Sequence, residues 1–186
     1  EMEGFKWFSQ AMEKSGTGGK HQVAPALIAQ LQLQSDEIEM KDLIGAGSFC
    51  DVFKGKFRAT DVAVKQLRAE MDPEVMQEFG AESAIMSQLR HPNICMLMGI
   101  CCYPPMLILE LCERGSLYRI MHILELKLDV SLLLKLVLEA ARGVAYLHQQ
   151  KPAIIHRDLK SLNLLITSQW QCKVSDFGIS QLKKKA

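Results

Sequence analysis

The segment Gly45 to Cys50, Gly-Ala-Gly-Ser-Phe-Cys, has the composition of a loop that could hold phosphate. Glycines let backbone amides approach phosphate oxygens closely, because no side chain intervenes. The residues on both sides carry strand patterns, which disfavours a dinucleotide-binding turn, since that turn joins a strand to a helix. Taken alone, the segment is explained about as well by a plain hairpin turn.

A second glycine-rich stretch, Ser15 to Gly19, is interpreted as a flexible linker. Gly19 is followed by Lys20, as in a nucleotide-binding P-loop. However, the first glycine that a P-loop requires falls on Lys14, and His21 stands where Ser or Thr is needed. The pattern therefore does not support a P-loop.

The elements that must position the first turn are predicted to be mostly strands. Ile38 to Met40 and Asp51 to Phe57 alternate apolar and polar residues, and Thr60 to Leu67 is rich in β-branched and apolar residues. The apolar stretch Ile94 to Ile108 is divided by a Tyr-Pro-Pro turn into two further strands. Together these five segments predict an antiparallel sheet.

Two helices are predicted beside these strands. Asp72 and Pro73 suit the cap and first position of a helix with an apolar stripe, which His91-Pro92 ends. From Leu133 to Leu147, apolar residues recur every three or four positions, which indicates a second helix that needs a surface to pack against.

Four further motifs follow the glycine turn in order: Val62-Ala-Val-Lys65, Glu82 on the first helix, His156-Arg-Asp-Leu-Lys-Ser-Leu-Asn163, and Asp176-Phe-Gly178. With them, the chain from Glu37 to about Gln181 resembles the protein kinase family, most closely its tyrosine-kinase-like group of serine/threonine kinases. The resemblance implies an α+β fold. It has a complete N-lobe, with a five-stranded antiparallel sheet and helix C, and only the first part of a mainly helical C-lobe.

The resemblance also implies a division of the chain. Residues 1–36 are expected to be an N-terminal extension and linker, 37–112 the N-lobe and hinge, and 113–186 an incomplete C-lobe with helices D and E, the catalytic loop and the start of the activation segment. Because the chain stops soon after Asp176-Phe-Gly178, we expect a truncated form, weakly active or inactive. Its apolar helix face from Leu133 to Leu147 would be partly exposed and open to a protein partner.

Catalytic roles follow from the resemblance. Phosphoryl transfer depends on positioning a charged phosphate tail and neutralising it. Lys65 would bind the α- and β-phosphates of ATP, with Glu82 holding its ammonium. Asp158 would accept or orient the proton of the substrate hydroxyl, and Lys160 would neutralise the transferred phosphoryl group, an arrangement that resembles serine/threonine kinases.

The cofactors implied are ATP and Mg²⁺. Asn163 and Asp176 would ligate the metal through hard oxygen atoms. The remaining ATP-binding residues implied are the glycine turn, the apolar walls of the adenine slot and the hinge: Gly45, Ala46, Gly47, Ser48, Val52, Ala63, Glu110, Cys112 and Leu165. The third glycine of the family's loop is replaced by Cys50, which adds a side chain there.

Two functions stay open on the sequence. The first is a protein serine/threonine kinase of signal transduction, which transfers the γ-phosphate of ATP to protein hydroxyl groups. The alternative is a non-catalytic, ATP-binding kinase-like module that acts through partner binding. Lys65, Glu82, Asp158, Asn163 and Asp176 are all present, which favours the enzyme.

Composition is that of a globular protein, with 48% hydrophobic and 23% charged residues. A formal net charge of +1 gives no support for a nucleic-acid or membrane-surface partner. We find no signal peptide and no membrane-spanning segment. The six cysteines lack paired CxxC spacing and lie mostly among apolar residues, which fits the reducing cytoplasm.

Overall fold

A computed structural model of the protein describes residues 30–47, 50–68 and 73–176. These residues form two compact units. The sheet unit contains the described residues up to Leu89 together with Met96–Leu111. The helical unit contains Arg90–Cys95 and the described residues from Cys112 onward.

The sheet unit is built on one twisted sheet of six strands in the described residues, in the order β1-β5-β6-β4-β3-β2. The strands are β1 (Gln32–Leu33), β2 (Ile38–Ala46), β3 (Cys50–Phe57), β4 (Thr60–Leu67), β5 (Leu97–Cys102) and β6 (Pro105–Glu110). From β2 to β6 all neighbours are antiparallel, so the predicted five-stranded antiparallel sheet is confirmed. The first of these strands is longer than the three residues that alternation alone indicated, because its central part is exposed and lacks an apolar pattern.

The sixth strand, β1, lies in the part of the chain that the sequence assigned to an extension. It runs parallel to β5, with Gln32 opposite Ile100 and Leu33 opposite Cys101. Leu33 is buried and belongs to the apolar core above the sheet. Gly99 makes room for it, because a Cβ at position 99 would collide with the Leu33 side chain. A two-residue strand has no periodicity to read, which explains why the sequence did not reveal it.

Helix α1 (Pro73–Gln88) belongs to the same unit and begins at the proline that the sequence indicated. Its buried residues include Phe79, Glu82 and Met86. The helix ends three residues before His91, the residue at which its end was predicted, because the last turn tightens: the Leu89 amide donates to the Met86 carbonyl. Asp72, the expected cap, lies outside the described residues.

The helical unit combines one long helix with a small sheet. Helix α2 (Val130–Gln149) is capped by Asp129, whose carboxylate accepts the Leu132 amide at 2.7 Å. Strands β7 (Gly115–Ser116), β8 (Leu164–Ile166) and β9 (Cys172–Val174) form an antiparallel sheet, and α2 packs against β9. A π-helical turn at Arg119–Ile123 and a 3₁₀ turn at Ser161–Asn163 complete the unit. The predicted second helix is thus confirmed, with three more residues at its N-terminal end and two at its C-terminal end.

Helix α2 carries two apolar faces. The buried one is formed by Leu136, Ala140, Gly143 and Leu147, at the spacing that a helix requires. The other is exposed within the described residues: Val130, Leu134, Val137 and Leu138 are between 53% and 72% exposed. Partial exposure of this helix was predicted.

All six cysteines are thiols rather than disulfides. Burial raises the pKa of Cys102 to about 11 and that of Cys172 to about 12. Both thiols are therefore protonated at neutral pH and poor nucleophiles. Across the described ranges, no helix has the length and apolar character needed to cross a lipid bilayer.

Replacement of Gly99 by Ala tests the packing of β1. The added methyl group must displace Leu33, and we expect the free energy of unfolding to fall by about 1–3 kcal/mol. Gly45→Ala is the matched control, because a Cβ there meets its nearest neighbour, the Val52 Cβ, at an ordinary 3.6 Å. Urea denaturation of both variants measures the effect, and equal stability would show that β1 does not pack on Gly99.

Candidate active site

The phosphate-loop residues and the lysine lie in one row across the sheet unit. Gly45 on β2 is opposite Val52 on β3, and Val52 is in turn opposite Lys65 on β4. Ala63 lies two positions before Lys65 on the same strand and therefore on the same face. The hairpin closes where the Gly47 amide donates to the Cys50 carbonyl at 2.8 Å. Antiparallel pairing, with a register shift in β2 just before Gly45, thus collects four predicted ATP-binding residues on one surface.

Lys65 is held by a buried carboxylate. Its Nζ lies 3.1 Å from Oε1 and 3.3 Å from Oε2 of Glu82 on α1. The side chains are only 8% and 2% exposed, so the pair is shielded from water. Burial of an ammonium is costly unless an opposite charge neutralises it, and Glu82 supplies that charge. The contact between these two residues that was predicted is present.

A second ion pair braces the base of the glycine hairpin. The Arg68 guanidinium donates from Nη2 to Oδ1 of Asp51 at 2.7 Å and from Nε to Oδ2 at 3.0 Å. This two-point contact joins β3 to the end of β4. The hydrogen bond from Arg68 lowers the pKa of the Asp51 carboxyl below its usual value. The carboxylate beside the hairpin is therefore ionised at neutral pH, with its charge offset by arginine.

The predicted hinge residues fall on either side of the boundary between the units. Glu110 ends β6, where its amide donates to the Met96 carbonyl at 3.0 Å and its Oε1 accepts the Met96 amide at 2.6 Å. Cys112 belongs to the helical unit, is buried, and accepts the Gly115 amide through its carbonyl at 3.0 Å. Leu165, also in the helical unit, is half-buried on β8.

The catalytic loop of the helical unit follows α2. The Ile154 amide donates to the Leu147 carbonyl at 3.0 Å, which ties the loop to the end of that helix. Arg157 has φ of 63° and Asp176 has φ of 55°, left-handed conformations that are unfavourable for residues with a Cβ. Such strained residues concentrate at functional sites, where surrounding contacts impose them.

Three of the predicted catalytic and metal residues are bonded to one another in this loop. The Lys160 ammonium donates to both carboxylate oxygens of Asp158, at 3.1 Å and 2.8 Å. The Asn163 amide nitrogen donates to the Asp158 carbonyl at 2.8 Å and to its Oδ2 at 3.3 Å. Asp158 is therefore fixed in direction and keeps a neutralising cation beside it.

A buried histidine connects this loop to the residue before Asp176. The Asp158 amide donates to Nδ1 of His156 at 3.3 Å, and Nε2 of His156 lies 2.9 Å from the Ser175 carbonyl. A backbone amide can only donate and a carbonyl can only accept, so Nδ1 carries the lone pair and Nε2 the proton. His156 is therefore a neutral Nε2–H imidazole that orients both Asp158 and Ser175.

The donor set of this unit fits Mg²⁺. Asn163 and Asp176 offer carboxamide and carboxylate oxygens, the hard ligands that this ion prefers. They are held near each other because the Ser175 amide donates to the Asn163 carbonyl at 2.9 Å. Among the described residues, no cluster of three or more His, Cys, Asp or Glu forms a ready-made metal cage. Mg²⁺ does not need one, since it is usually held by one or two protein oxygens together with substrate phosphates and water.

The structure thus arranges the predicted residues in two groups, each within one unit. Gly45, Ala46, Gly47, Val52, Ala63, Lys65, Glu82 and Glu110 lie in the sheet unit, and Cys112, Asp158, Lys160, Asn163, Leu165 and Asp176 in the helical unit. Ser48 and the Phe177-Gly178 end of the last motif lie outside the described residues. Sequence reasoning missed Ser175 and the Asp51–Arg68 pair, because their roles depend on contacts between segments that carry no motif.

Residues 38–186 match the sequence profile of the family described as protein tyrosine and serine/threonine kinase. The chain belongs to the protein kinase family. It is 43% identical over 159 residues to the probable serine/threonine-protein kinase SIS8 of Arabidopsis thaliana, covering 84% of this chain and 15% of that protein. It is also 43% identical over 152 residues to the probable serine/threonine-protein kinase drkA of Dictyostelium discoideum, covering 80% of this chain and 24% of that protein.

A third relative is the dual specificity protein kinase shkC of Dictyostelium discoideum. The two chains are 38% identical over 157 residues, and the match covers 83% of this chain and 31% of that protein. This chain therefore spans less than a third of the length of each of these three relatives. The family assignment made from the ordered motifs is confirmed.

A double-mutant cycle tests the buried pair of this kinase chain. Glu82→Leu removes the carboxylate that neutralises Lys65, and we expect the free energy of unfolding to fall by about 3 kcal/mol. Combining it with Lys65→Met removes both buried charges and should recover most of that loss. Urea denaturation of the wild type, both single variants and the double variant gives the coupling energy. Strictly additive losses would show that the two charges do not depend on each other.

Proposed function

We propose that this chain is the catalytic part of a protein serine/threonine kinase, which transfers the γ-phosphate of ATP to protein hydroxyl groups. The observation that carries the proposal is the bonded set Asp158, Lys160 and Asn163. It places a carboxylate base, a cation and an amide in one fixed loop. A merely structural loop has no need of an ammonium donating to both oxygens of a half-buried carboxylate.

In this proposal, the sheet unit binds the phosphate tail. The Lys65 ammonium, pre-oriented by Glu82, neutralises the α- and β-phosphates, and the hairpin at Gly45 to Gly47 presents backbone amides to their oxygens. The conformation of the chain does not require glycine at position 45, because a Cβ there would make only ordinary contacts. Space at this point of the row is therefore available to a ligand.

The helical unit supplies the reacting groups. Asp158 orients the substrate hydroxyl and accepts its proton, while Lys160, already within bonding distance of that carboxylate, neutralises the phosphoryl oxygens. Asn163 and Asp176 would hold Mg²⁺, which when bound would offset negative charge on the phosphates. Each of these side chains binds, orients or accepts a proton, and none acts as a nucleophile.

Serine and threonine are the proposed acceptors because Lys160 follows Asp158 by two residues, the spacing typical of serine/threonine kinases. SIS8 and drkA are named as probable serine/threonine-protein kinases, which supports the same class. The thiol state of all six cysteines supports the proposal that the protein works in the reducing cytoplasm. A role in signal transduction is proposed from the resemblance to serine/threonine kinases alone.

A second function is favoured by the exposed face of α2. Val130, Leu134, Val137 and Leu138 form a continuous apolar stripe, which a protein partner could cover. A non-catalytic module that binds ATP and docks through this face would need no base at position 158. The geometry around Asp158 therefore favours the enzyme over the module.

Phosphate transfer from radiolabelled ATP separates these two functions. The full-length protein is incubated with Mg²⁺ and peptide pools in which Ser, Thr or Tyr is the sole hydroxyl residue. We expect label on Ser and Thr peptides, and Asp158→Asn should lower the rate by about a hundredfold or more because the base is lost. Its affinity for ATP should stay within about twofold of the wild type, since Asp158 contacts the acceptor hydroxyl.

Lys65→Met is the companion variant in this assay, and it should lose nucleotide affinity as well as rate. A folded full-length protein that binds Mg-ATP but transfers no phosphate to any pool would overturn the enzyme and leave the binding module.

A further inference from the structure

Ser175 occupies a buried position between the two residues proposed to hold Mg²⁺. It follows β9, precedes Asp176 directly, and is 6% exposed. No step of the proposed reaction uses its hydroxyl group. A buried hydroxyl needs a hydrogen-bond partner, and the identity of that partner shows what the side chain does.

Both donors of Ser175 point at one acceptor. Its amide donates to the Asn163 carbonyl at 2.9 Å, and its hydroxyl Oγ lies 3.2 Å from the same oxygen. A carbonyl oxygen has two lone pairs, so it can accept both bonds. The hydroxyl bond is the longer and weaker of the two. Two bonds from one residue prevent the Asn163 peptide group from rotating about a single contact.

The two residues joined in this way are also held from the other side. His156 donates from Nε2 to the Ser175 carbonyl at 2.9 Å, and Asn163 donates through its side chain to the Asp158 carbonyl at 2.8 Å. The Asp158 amide donates to Nδ1 of His156, which completes the ring. Four residues therefore form a closed ring of hydrogen bonds, and Ser175 is the member that contacts the backbone of one proposed metal ligand and precedes the other.

We propose that Ser175 is a positioning residue, whose hydroxyl bond to the Asn163 carbonyl sets Asn163 and Asp176 at the spacing that a divalent cation requires. The inference rests on the proposed function of that pair. Mg²⁺ demands near-ideal octahedral geometry, so a small change in ligand spacing weakens its binding. Groups that orient metal ligands commonly change affinity by about 10- to 100-fold when removed. The Ser175 hydroxyl acts through the main chain and over a long hydrogen bond. We therefore expect a change in metal affinity at the lower end of this range.

The test uses Ser175→Ala, which deletes the hydroxyl but keeps the amide bond to Asn163. Mn²⁺, followed by electron paramagnetic resonance, serves as the probe, and the chain is loaded with a non-hydrolysable ATP analogue. We expect Mn²⁺ affinity to fall roughly fivefold to tenfold. The Mg²⁺ concentration for half-maximal phosphate transfer should rise by the same factor, with kcat at saturating Mg²⁺ nearly unchanged.

Ser87→Ala is the matched control. Ser87 is 2% exposed and its hydroxyl donates to a backbone carbonyl, that of Ala84, at 2.8 Å, but it lies on α1 and is not a member of the hydrogen-bonded ring. It should lose comparable stability and leave Mn²⁺ affinity unchanged. Wild-type Mn²⁺ affinity in Ser175→Ala would overturn the positioning role, as would an equal loss of affinity in Ser87→Ala.

A conservative variant keeps the proposal testable if Ser175→Ala does not fold. Ser175→Cys keeps the volume of the side chain but donates a weaker hydrogen bond, and its Mn²⁺ affinity should fall between those of the wild type and Ser175→Ala. Wild-type affinity in Ser175→Cys would count against the proposal even if Ser175→Ala did not fold. A wild-type chain that binds the ATP analogue but no Mn²⁺ would instead refute the proposed metal pair itself, which separates the two failures.

Discussion

A positive charge in the interior of the sheet unit is the constraint on which its architecture depends. Lys65 stands on a central strand and can remain an ammonium there only beside Glu82, which must come from another element. The strand therefore needs α1 against it at one particular rotation, with Glu82 facing inward. The apolar residues of that helix supply the packing that offsets the desolvation of the pair. The same arrangement places a cation in the row that contains Gly45 and Val52, as the proposed phosphate binding requires.

The helical unit must fix the direction of polar groups that are not members of its apolar core. It does so with hydrogen bonds from short loops to one another, anchored on α2 and on the β8–β9 hairpin. The ring through Asp158, His156, Ser175 and Asn163 explains how Arg157 can keep a left-handed backbone conformation. The contacts around Arg157 sustain this strained conformation. In the same loop, the carboxylate of Asp158 lies beside Lys160. The direction of a catalytic group is thus determined by main-chain contacts that no motif describes.

The sequence predicted the strands β3 to β6, both helices and the kinase family, because alternation, helical spacing and ordered motifs are local properties. It predicted less where a residue acts through a distant partner. Ser175 is one serine among many until β9 brings it to Asn163. The parallel strand β1 is only two residues long. It is identified by its pairing with β5 and by the packing of Leu33 over Gly99, which no sequence pattern indicates. Likewise, no sequence pattern around Arg68 predicts its ion pair with Asp51. Element types were therefore predictable, as was the Lys65–Glu82 contact through the family resemblance, whereas contacts between segments that carry no motif required the fold.

The central proposal is that the ammonium group of Lys65, held by Glu82, contacts the phosphates of a bound nucleotide. An ATP derivative with a reactive acyl group on its terminal phosphate would acylate whichever lysines lie beside that phosphate tail, and mass spectrometry would locate them. We predict modification of Lys65, with protection by excess Mg-ATP. Modification confined to exposed lysines such as Lys54 and Lys135, or unaffected by Mg-ATP, would contradict it.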